Sequence, residues 1–332
     1  MPFFSIIVPV YNRPAEVKEL AESLSRQSCK DFELVIVEDG SSAPCADVLE
    51  PFKDQFTYRY FFKKNEGRSL ARNYGMEHAE GDYLVFFDSD CVIPPDYFKI
   101  VKERLTANYS DCYGGPDRAD KSFSKLQKAI SFSMTSFLTT GGIRGQKKGL
   151  EKFTPRTFNM GFSKEVYHKV GDFKDMFGED IDLSLRIRDA GFTTQLIPDA
   201  FVYHKRRVNL KSFRRQVFVF GMARIELFLL HPKSLKIVHL LPTLFTLGSI
   251  FLLISAFWCI WALLPLLLYF LAIFISSSIQ NKSLSIGVLS IVTSAIQLYG
   301  YGQGFIKAFL NKIIFKRRNE KNKELDKYYK KK

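Results

Sequence analysis

Asp88-Ser89-Asp90 sets two carboxylates two residues apart, directly after the apolar run 83–87. If that run is a strand whose extended geometry persists, side chains two apart face the same side, so both carboxylates reach one site. Hard divalent cations take oxygen ligands, and Mg2+ characteristically combines one or two carboxylates with substrate phosphates. The chemistry that fits is an ion bridging Asp88, Asp90 and a diphosphate, stabilising the diphosphate as a leaving group. A solvated acidic turn has the same letters, so the elements around the pair must decide between them.

Those elements alternate. Residues 4–10 read as a buried, β-branched strand, and Pro14 opens a helix whose Val17, Leu20, Ala21 and Leu24 share one face. A second strand at 32–37 runs into Glu38-Asp39-Gly40-Ser41, followed by a short helix near 46–52 and a strand at 57–62. A helix at 69–79 precedes the strand at 83–87. This order predicts an α/β fold with a doubly wound, mostly parallel sheet. Ligands on such sheets bind beyond the carboxyl ends of the strands, where Asp39, Asp88 and Asp90 all stand. Further on, Tyr113-Gly114-Gly115-Pro116 reads as a turn, 123–138 as amphipathic, and 141–149 as a glycine-rich loop. A short helix at 164–170, a helix from Glu179 to about Ala190, and strands at 193–197 and 200–203 lead to His204.

Five segments stand in order on this frame: Ser5-Ile6-Ile7-Val8-Pro9-Val10-Tyr11-Asn12, Val37-Glu38-Asp39-Gly40-Ser41, residues 65–75, Asp88-Ser89-Asp90, and Gly178-Glu179-Asp180. Together they resemble the family-2 glycosyltransferases of the GT-A fold, over residues 4–204. The resemblance implies an inverting transfer from a UDP- or GDP-linked sugar. It implies that Pro9, Tyr11, Asn12, Asp39, Asn65, Gly67, Arg72 and Asp88 surround the nucleotide, with Asp39 at the base. Asp90 would be the firmest ligand of Mg2+ or Mn2+, and Asp88 would be shared between ribose and metal. His204 is either a further metal ligand, as in some GT-A enzymes, or an isolated loop histidine. An inverting displacement needs a base on the face opposite the leaving diphosphate. The Glu179-Asp180 pair matches the family's base position, Asp180 ahead of Glu179, although acidic residues at a helix start also complement its dipole. Asn159 and Met160 match a stretch on the acceptor side of relatives. Asp182 and Arg186, four apart, read as a structural ion pair.

Charge separates the rest of the chain. Residues 1–204 carry 27 basic and 30 acidic side chains, a net of −3, whereas residues 205–236 and 305–332 carry +8 each. Between them, residues 237–304 hold Lys282 as their only charge. Basic flanks beside an apolar block fit anionic lipid headgroups rather than nucleic acid. The block divides into runs at 237–255, 257–279 and 284–304, each near the ~20 residues of a spanning helix. Two basic flanks on the cytoplasmic side require an even number of crossings, whereas three runs give an odd one. Either one run lies along the interface or re-enters, leaving two crossings, or the basic tail breaks the rule and all three cross. The domains expected are a catalytic domain at 1–204, a basic membrane-approach segment at 205–236, transmembrane helices at 237–304 and a basic, cytoplasmic tail at 305–332.

Lys205-Arg206-Arg207 suits diphosphate or lipid. Residues 214–221 resemble the membrane-approach segment of membrane-bound relatives. They lack the Q-x-x-R-W signature of processive synthases, since Trp258 and Trp261 both lie in the apolar block, which argues against polymer synthesis. The five cysteines form no C-x-x-C pair or zinc spacing and read as small buried residues of a reducing compartment. No signal peptide is evident. The expected protein is a multi-pass enzyme of the inner membrane with a cytoplasmic catalytic domain. It would transfer sugar to a lipid-linked or cell-surface polysaccharide acceptor. A sugar nucleotidyltransferase would carry a glycine-rich loop where this chain has Tyr11-Asn12-Arg13-Pro14. An inactive membrane scaffold would have no need of every acidic position.

Overall fold

The structure is a computed structural model that describes residues 4–118, 123–141, 153–205 and 209–316. The chain forms two compact units, one of Met1–Asp120 with Lys152–Lys205 and one of Lys121–Glu151 with Arg206–Lys332. Among the described residues, 123–141 fall within the second unit.

The first unit opens with β1 (Phe4–Val10), α1 (Pro14–Ser25), β2 (Phe32–Asp39), β3 (Thr57–Lys63), α2 (Arg68–Glu77) and β4 (Tyr83–Phe86). It continues through β5 (Cys91–Val92), α3 (Tyr97–Ala107), β6 (Cys112–Gly114) and β7 (Asp117–Arg118). The chain then supplies α4 (Lys125–Thr135) and α5 (Phe137–Thr140) to the second unit. It returns with β8 (Met160–Ser163), α6 (Lys164–Val170), α7 (Glu179–Asp189), β9 (Thr194–Leu196) and β10 (Val202–His204). A seven-stranded sheet has the order β3-β2-β1-β4-β8-β6-β9, and a second sheet has the order β5-β10-β7. The pairs from β3 through β4 and the β6–β9 pair are parallel, while β8 runs antiparallel to both its neighbours.

Alternation along β1 builds both layers: Ile6 and Val8 pack with Val17, Leu20 and Leu24 of α1, and Ile7 packs with Ala71 and Met76 of α2. Each such buried aliphatic side chain contributes about 1.5–3 kcal/mol. Two local expectations change. The helix near 46–52 is only a 3-10 turn at Glu50–Phe52. The expected turn at 113–116 begins as strand β6, because Tyr113 stacks on Tyr83 at 5.6 Å and glycine at position 161 leaves room for the Tyr113 ring.

The second unit contains α8 (Leu210–Leu230), α9 (Ile237–Ser255), α10 (Leu264–Asn281) and α11 (Leu284–Phe309) together with α4 and α5. Ile237–Ser255, Ile260–Asn281 and Leu284–Ile314 are each long and apolar enough to cross a membrane. Helix α11 lies against α8 with almost no side chain between them: a methyl at Gly304 would fall 1.9 Å from the Phe218 carbonyl oxygen, and one at Gly221 2.1 Å from that of Tyr301. Cys45, Cys91 and Cys112 are buried as expected, but Cys29 is half-buried and Cys259 exposed, since Cys259 lies between α9 and α10 rather than within a helix. Arg206 and Arg207, most of the 141–149 loop and the tail beyond Lys316 lie outside the described residues.

Candidate active site

Strand β4 ends at Phe86, so the extended geometry expected through Asp88-Ser89-Asp90 does not persist. Instead the backbone turns, closed by Cys91 N–H donating to the Asp88 carbonyl at 3.1 Å. The carboxylates converge all the same, because the small sheet brings a partner to the turn. On β10, His204 pairs with Cys91 of β5, and Val202 pairs with Asp117 of β7. The His204 Nε2 atom is then 3.1 Å from Asp90 Oδ1 and 3.6 Å from Asp88 Oδ2. Lys205 N–H donates to the Asp90 carbonyl at 3.2 Å and fixes the strand end to the turn. The His204 ring stacks on Phe158 at 5.1 Å.

Asp90, Cys91 and His204 each offer a ligand atom, and these atoms lie within 4.8 Å of one another. Burial disfavours the His204 imidazolium, but Asp90, Asp88 and Asp117 outweigh it and raise the pKa above the ordinary histidine value. Burial, reinforced by Asp90 and Asp88, pushes the Cys91 thiol well up. Carboxylates beside an imidazole, with this excess of negative charge, form a donor set suited to a divalent cation. Cys91 and Asp117 are additions to the expected site. Cys91 follows the acidic pair directly, which is a signal; Asp117 comes in only through the pairing of two short strands.

A buried network joins this turn to α7. Arg72 is 1% exposed; its guanidinium donates to Asp88 Oδ1 at 2.8 Å and to Glu179 Oε1 at 3.0 Å. Arg68, one helical turn earlier on α2, contacts Glu179 through Nε at 2.8 Å. Glu179 is 2% exposed, and although burial opposes its ionisation, Arg68 and Arg72 hold it below the usual carboxylate range. Glu179 is thus committed to two arginines and has no free carboxylate to act as a base. Its neighbour Asp180 keeps 18% of its side chain exposed, with Oδ1 accepting from Ile181 N–H at 2.8 Å and Arg156 Nη1 forming an ion pair with it at 3.6 Å. Asp182 and Arg186 form the expected ion pair at 2.8 Å.

The nucleotide-side residues divide into those that build the loops and those that remain available. Asp39 is buried; its Oδ1 accepts from Glu66 N–H at 2.9 Å and its Oδ2 from Gly67 N–H at 2.8 Å. Gly40, at φ 72°, brings its turn so close to this segment that a Cβ would sit 2.6 Å from Asn65 N. Asn12 adopts φ 53°, a left-handed conformation that asparagine tolerates. Its Oδ1 accepts from Ser42 and Ala43 N–H at 2.8 and 3.0 Å, tying the end of β1 to the loop after β2. Pro9 and Tyr11 are partly buried on that rim, and Asn65 is exposed. Asn159 and Met160 depart from expectation. Both are fully buried, and Asn159 donates to the Ala200 carbonyl at 2.8 Å while accepting from Tyr97 at 2.5 Å. In this structure their side chains pack inside the fold at the start of β8.

The profile of Glycosyl transferase family 2 matches residues 5–171. Glycosyltransferase AglE of Haloferax volcanii is 24% identical over 73% of this chain and 79% of its own. An uncharacterized glycosyltransferase of Rickettsia felis is 42% identical over 31% of this chain, and the match spans 17% of that protein's length. In three dimensions the mannosyltransferase PcManGT of Pyrobaculum calidifontis, solved with GDP-Man and Mn2+, aligns with a TM-score of 0.57 at 17% identity, covering 96% of this chain and 88% of its own. That likeness bears on fold, and it agrees with the GT-A sheet described above. With the profile spanning half of the sequence, and carrying the strands that end in Asp39 and Asp88, this chain is an enzyme of glycosyl transferase family 2.

Proposed function

We propose that this enzyme transfers a sugar, with inversion at the anomeric carbon, from a UDP- or GDP-sugar to a hydroxyl of a lipid-linked or cell-surface polysaccharide acceptor. The observation that carries the reading is the convergence of Asp90, Asp88 and His204 at one turn, joined through Arg72 and Glu179 to the helix that begins with Asp180. Asp90 and His204 would hold Mg2+ or Mn2+, with Asp88 shared between it and Arg72. Such an ion supplies charge neutralisation of the diphosphate. Asp39, with Pro9, Tyr11, Asn12, Asn65 and Gly67, frames the nucleotide end. Arg72 acts behind Asp88 as a positioning residue. Asp180, partly exposed and with Arg156 no closer than 3.6 Å, takes the proton of the acceptor hydroxyl on the side opposite the leaving diphosphate.

The basic segments at 205–236 and 305–332 and the apolar helices support a reading in which the work is done at a membrane surface rich in anionic lipid. The setting that fits is the cytoplasmic face of an inner membrane. The GDP-Man and Mn2+ of PcManGT support a nucleotide-sugar donor and a divalent ion, but not a particular sugar.

Calorimetric titration of the detergent-solubilised protein with UDP and GDP, with and without Mn2+, tests the donor side. Binding of one nucleotide that depends on Mn2+ and disappears in Asp90→Ala is expected. Failure to bind either nucleotide favours an inactive scaffold, and equal binding by the variant removes Asp90 as the ligand.

A further inference from the structure

We infer that the chain crosses the bilayer twice, as an α9–α10 hairpin, and that α11 lies beside α8 at headgroup level on the side where the hairpin enters. This rests on the reading that the apolar helices enter a membrane, and it assigns to each of them a different surface and a different partner.

Helices α8 and α11 run side by side in the same direction. Val217 meets Gly300, the Phe218 carbonyl meets Gly304, Met222 and Ile225 pack with Phe305 and Ala308, and Glu226 pairs with Lys312 at 2.8 Å. Both sequences advance together along this contact. Were α8, α9, α10 and α11 four consecutive crossings, the first and the fourth would run in opposite directions. At least one of the two therefore does not cross. Helix α8 carries Lys211, Arg214, Arg215, Arg224 and Glu226 within its length, a density of charge that excludes it from hydrocarbon. Whatever lies flush along α8 shares its depth, which places residues 300–312 among the headgroups. The part of α11 before that contact, residues 284–299, is shorter than the ~20 residues of a crossing.

Composition and burial separate the same helices. The third apolar stretch is the least hydrophobic and the most covered: 44% of the residues in its most apolar part lie inside the protein, against 33% in the first stretch and 11% in the second. In α10 only Ile273 and Ser277 are buried, and Leu267, Leu268, Leu271, Ile275 and Ile279 are exposed, whereas α11 has buried residues along its whole length. Ser290, Thr293 and Ser294 of α11 are fully buried; Ser290 bonds with Ser277 of α10 at 2.7 Å, and Thr293 donates to the Ala129 carbonyl of α4 at 3.1 Å. These contacts make α11 the internal spine of its unit.

Charge gives the hairpin its sidedness. Lys233 and Lys236 precede α9 and Lys282 follows α10, while residues 256–263 between them carry no charge. That connection exposes Phe257, Trp258, Ile260 and Trp261, and tryptophan concentrates at the membrane–water interface. The aromatic tip thus anchors in the far leaflet and the lysines stay in the near one. With two crossings, both basic flanks fall on one side, as the preference of positive loops for the cytoplasm requires.

The test uses the full chain in sealed membrane vesicles of both orientations and a membrane-impermeant maleimide. Three proteins each keep a single exposed cysteine: native Cys259 in a C29S background, and K53C or K316C in a C29S/C259S background, with buried Cys45, Cys91 and Cys112 retained. Labelling of positions 53 and 316 from one face and of Cys259 from the other is expected. If 259 and 316 both react from the face opposite 53, α11 crosses and the inference is overturned. If all three react from one face, α9 and α10 do not cross as a hairpin and the inference is overturned. Release of the protein by alkaline carbonate would then overturn the membrane-spanning reading as well, whereas retention would leave α10 and α11 as the crossing pair. Protease trimming of the basic tail in the unsubstituted protein gives an independent reading: cleavage from the face that carries position 53 supports two crossings, and cleavage from the other overturns them.

Discussion

The two units solve the problem of buried polarity in opposite ways. In the first, charge is gathered and paired: Arg72 lies between Asp88 and Glu179, Arg68 adds to Glu179, and buried Asp182 takes Arg186 and Lys174. In the second, the buried polar groups along α9, α10 and α11 are mostly hydroxyls, and close approach of backbones at glycines replaces large side chains. Desolvating a charge is costly unless a partner is held against it, so the first unit keeps a rigid charged lattice where chemistry needs oriented ligands. Where helices of the second unit meet at glycines, backbone contact takes the place of interdigitating side chains and leaves no slack for a larger residue. Substitutions in the two units should therefore fail differently: in the first by misplacing charge, in the second by separating helices.

The largest effect belongs to the metal turn. Asp90→Ala removes the carboxylate nearest His204 and should lower donor turnover about 10⁴-fold, several kcal/mol of transition-state stabilisation, with the thermal midpoint close to that of the parent. Steady-state turnover with a radiolabelled donor measures it; wild-type turnover would dissolve the contrast at its root. Next comes Asp180→Asn, expected to reduce transfer by about 10²–10³-fold while nucleotide affinity is retained. A matched loss of affinity would move Asp180 from the acceptor side to the donor side.

Arg72→Met should act on both stability and placement. It removes the nearest cation from Asp88, which keeps His204 at 3.6 Å, and one of two arginines from buried Glu179. Breaking a buried pair this way costs about 3–5 kcal/mol, read as a lowered denaturant midpoint. The sign of the pH dependence follows from Glu179. Its folded pKa is depressed, so the pair's contribution is fully present above the ordinary glutamate pKa and is lost as pH falls through the folded value. The variant and the parent should converge in stability under acid; an unchanged gap there would show that the loss is one of packing rather than charge.

How much of this was legible beforehand depends on the length of the element. The strand–helix alternation from β1 to β4 is written in runs of apolar residues long enough to show a period, and the acidic residues at their ends point to the site directly. The sheet of β5, β10 and β7 is built from strands of two or three residues, which have no period to read. The neighbours it assembles, Cys91 and Asp117 beside His204, were invisible for that reason. Arg68 was readable in principle, four residues before Arg72 on one helix face. Asn159 matches an acceptor-side stretch of relatives, a resemblance that carries no information on burial; in the fold its amide satisfies backbone and tyrosine groups that would otherwise be buried unpaired. In the second unit, hydropathy identifies apolar stretches but is blind to which of them another helix covers.

A smaller effect than these is expected from Gly304→Ala. A methyl there meets the Phe218 carbonyl at 1.9 Å, backbone that cannot yield without moving α8 from α11. Overpacking of this kind costs typically 1–3 kcal/mol. The thermal midpoint of the second unit should fall while Mn2+-dependent nucleotide binding by the first persists, and loss of both together would show that the units do not fail separately.

The mildest probe, pH near neutrality, addresses the first unit alone. In the metal-free protein the raised pKa of His204 means that its ion pairs with Asp90 and Asp88 stabilise the fold fully below the unfolded histidine value of about 6.5. That stabilisation is lost as pH rises through the folded value. Metal binding has the opposite sign, because ligation requires the neutral imidazole and must displace the proton. Raising the pH from 6 to 8 should therefore lower the thermal midpoint of the apo protein and increase the upward shift produced by Mn2+. His204→Gln should flatten both trends while leaving the response to Gly304→Ala unchanged. A pH trend that survives His204→Gln would assign the proton to another group of the first unit and remove the imidazole from the ligand set.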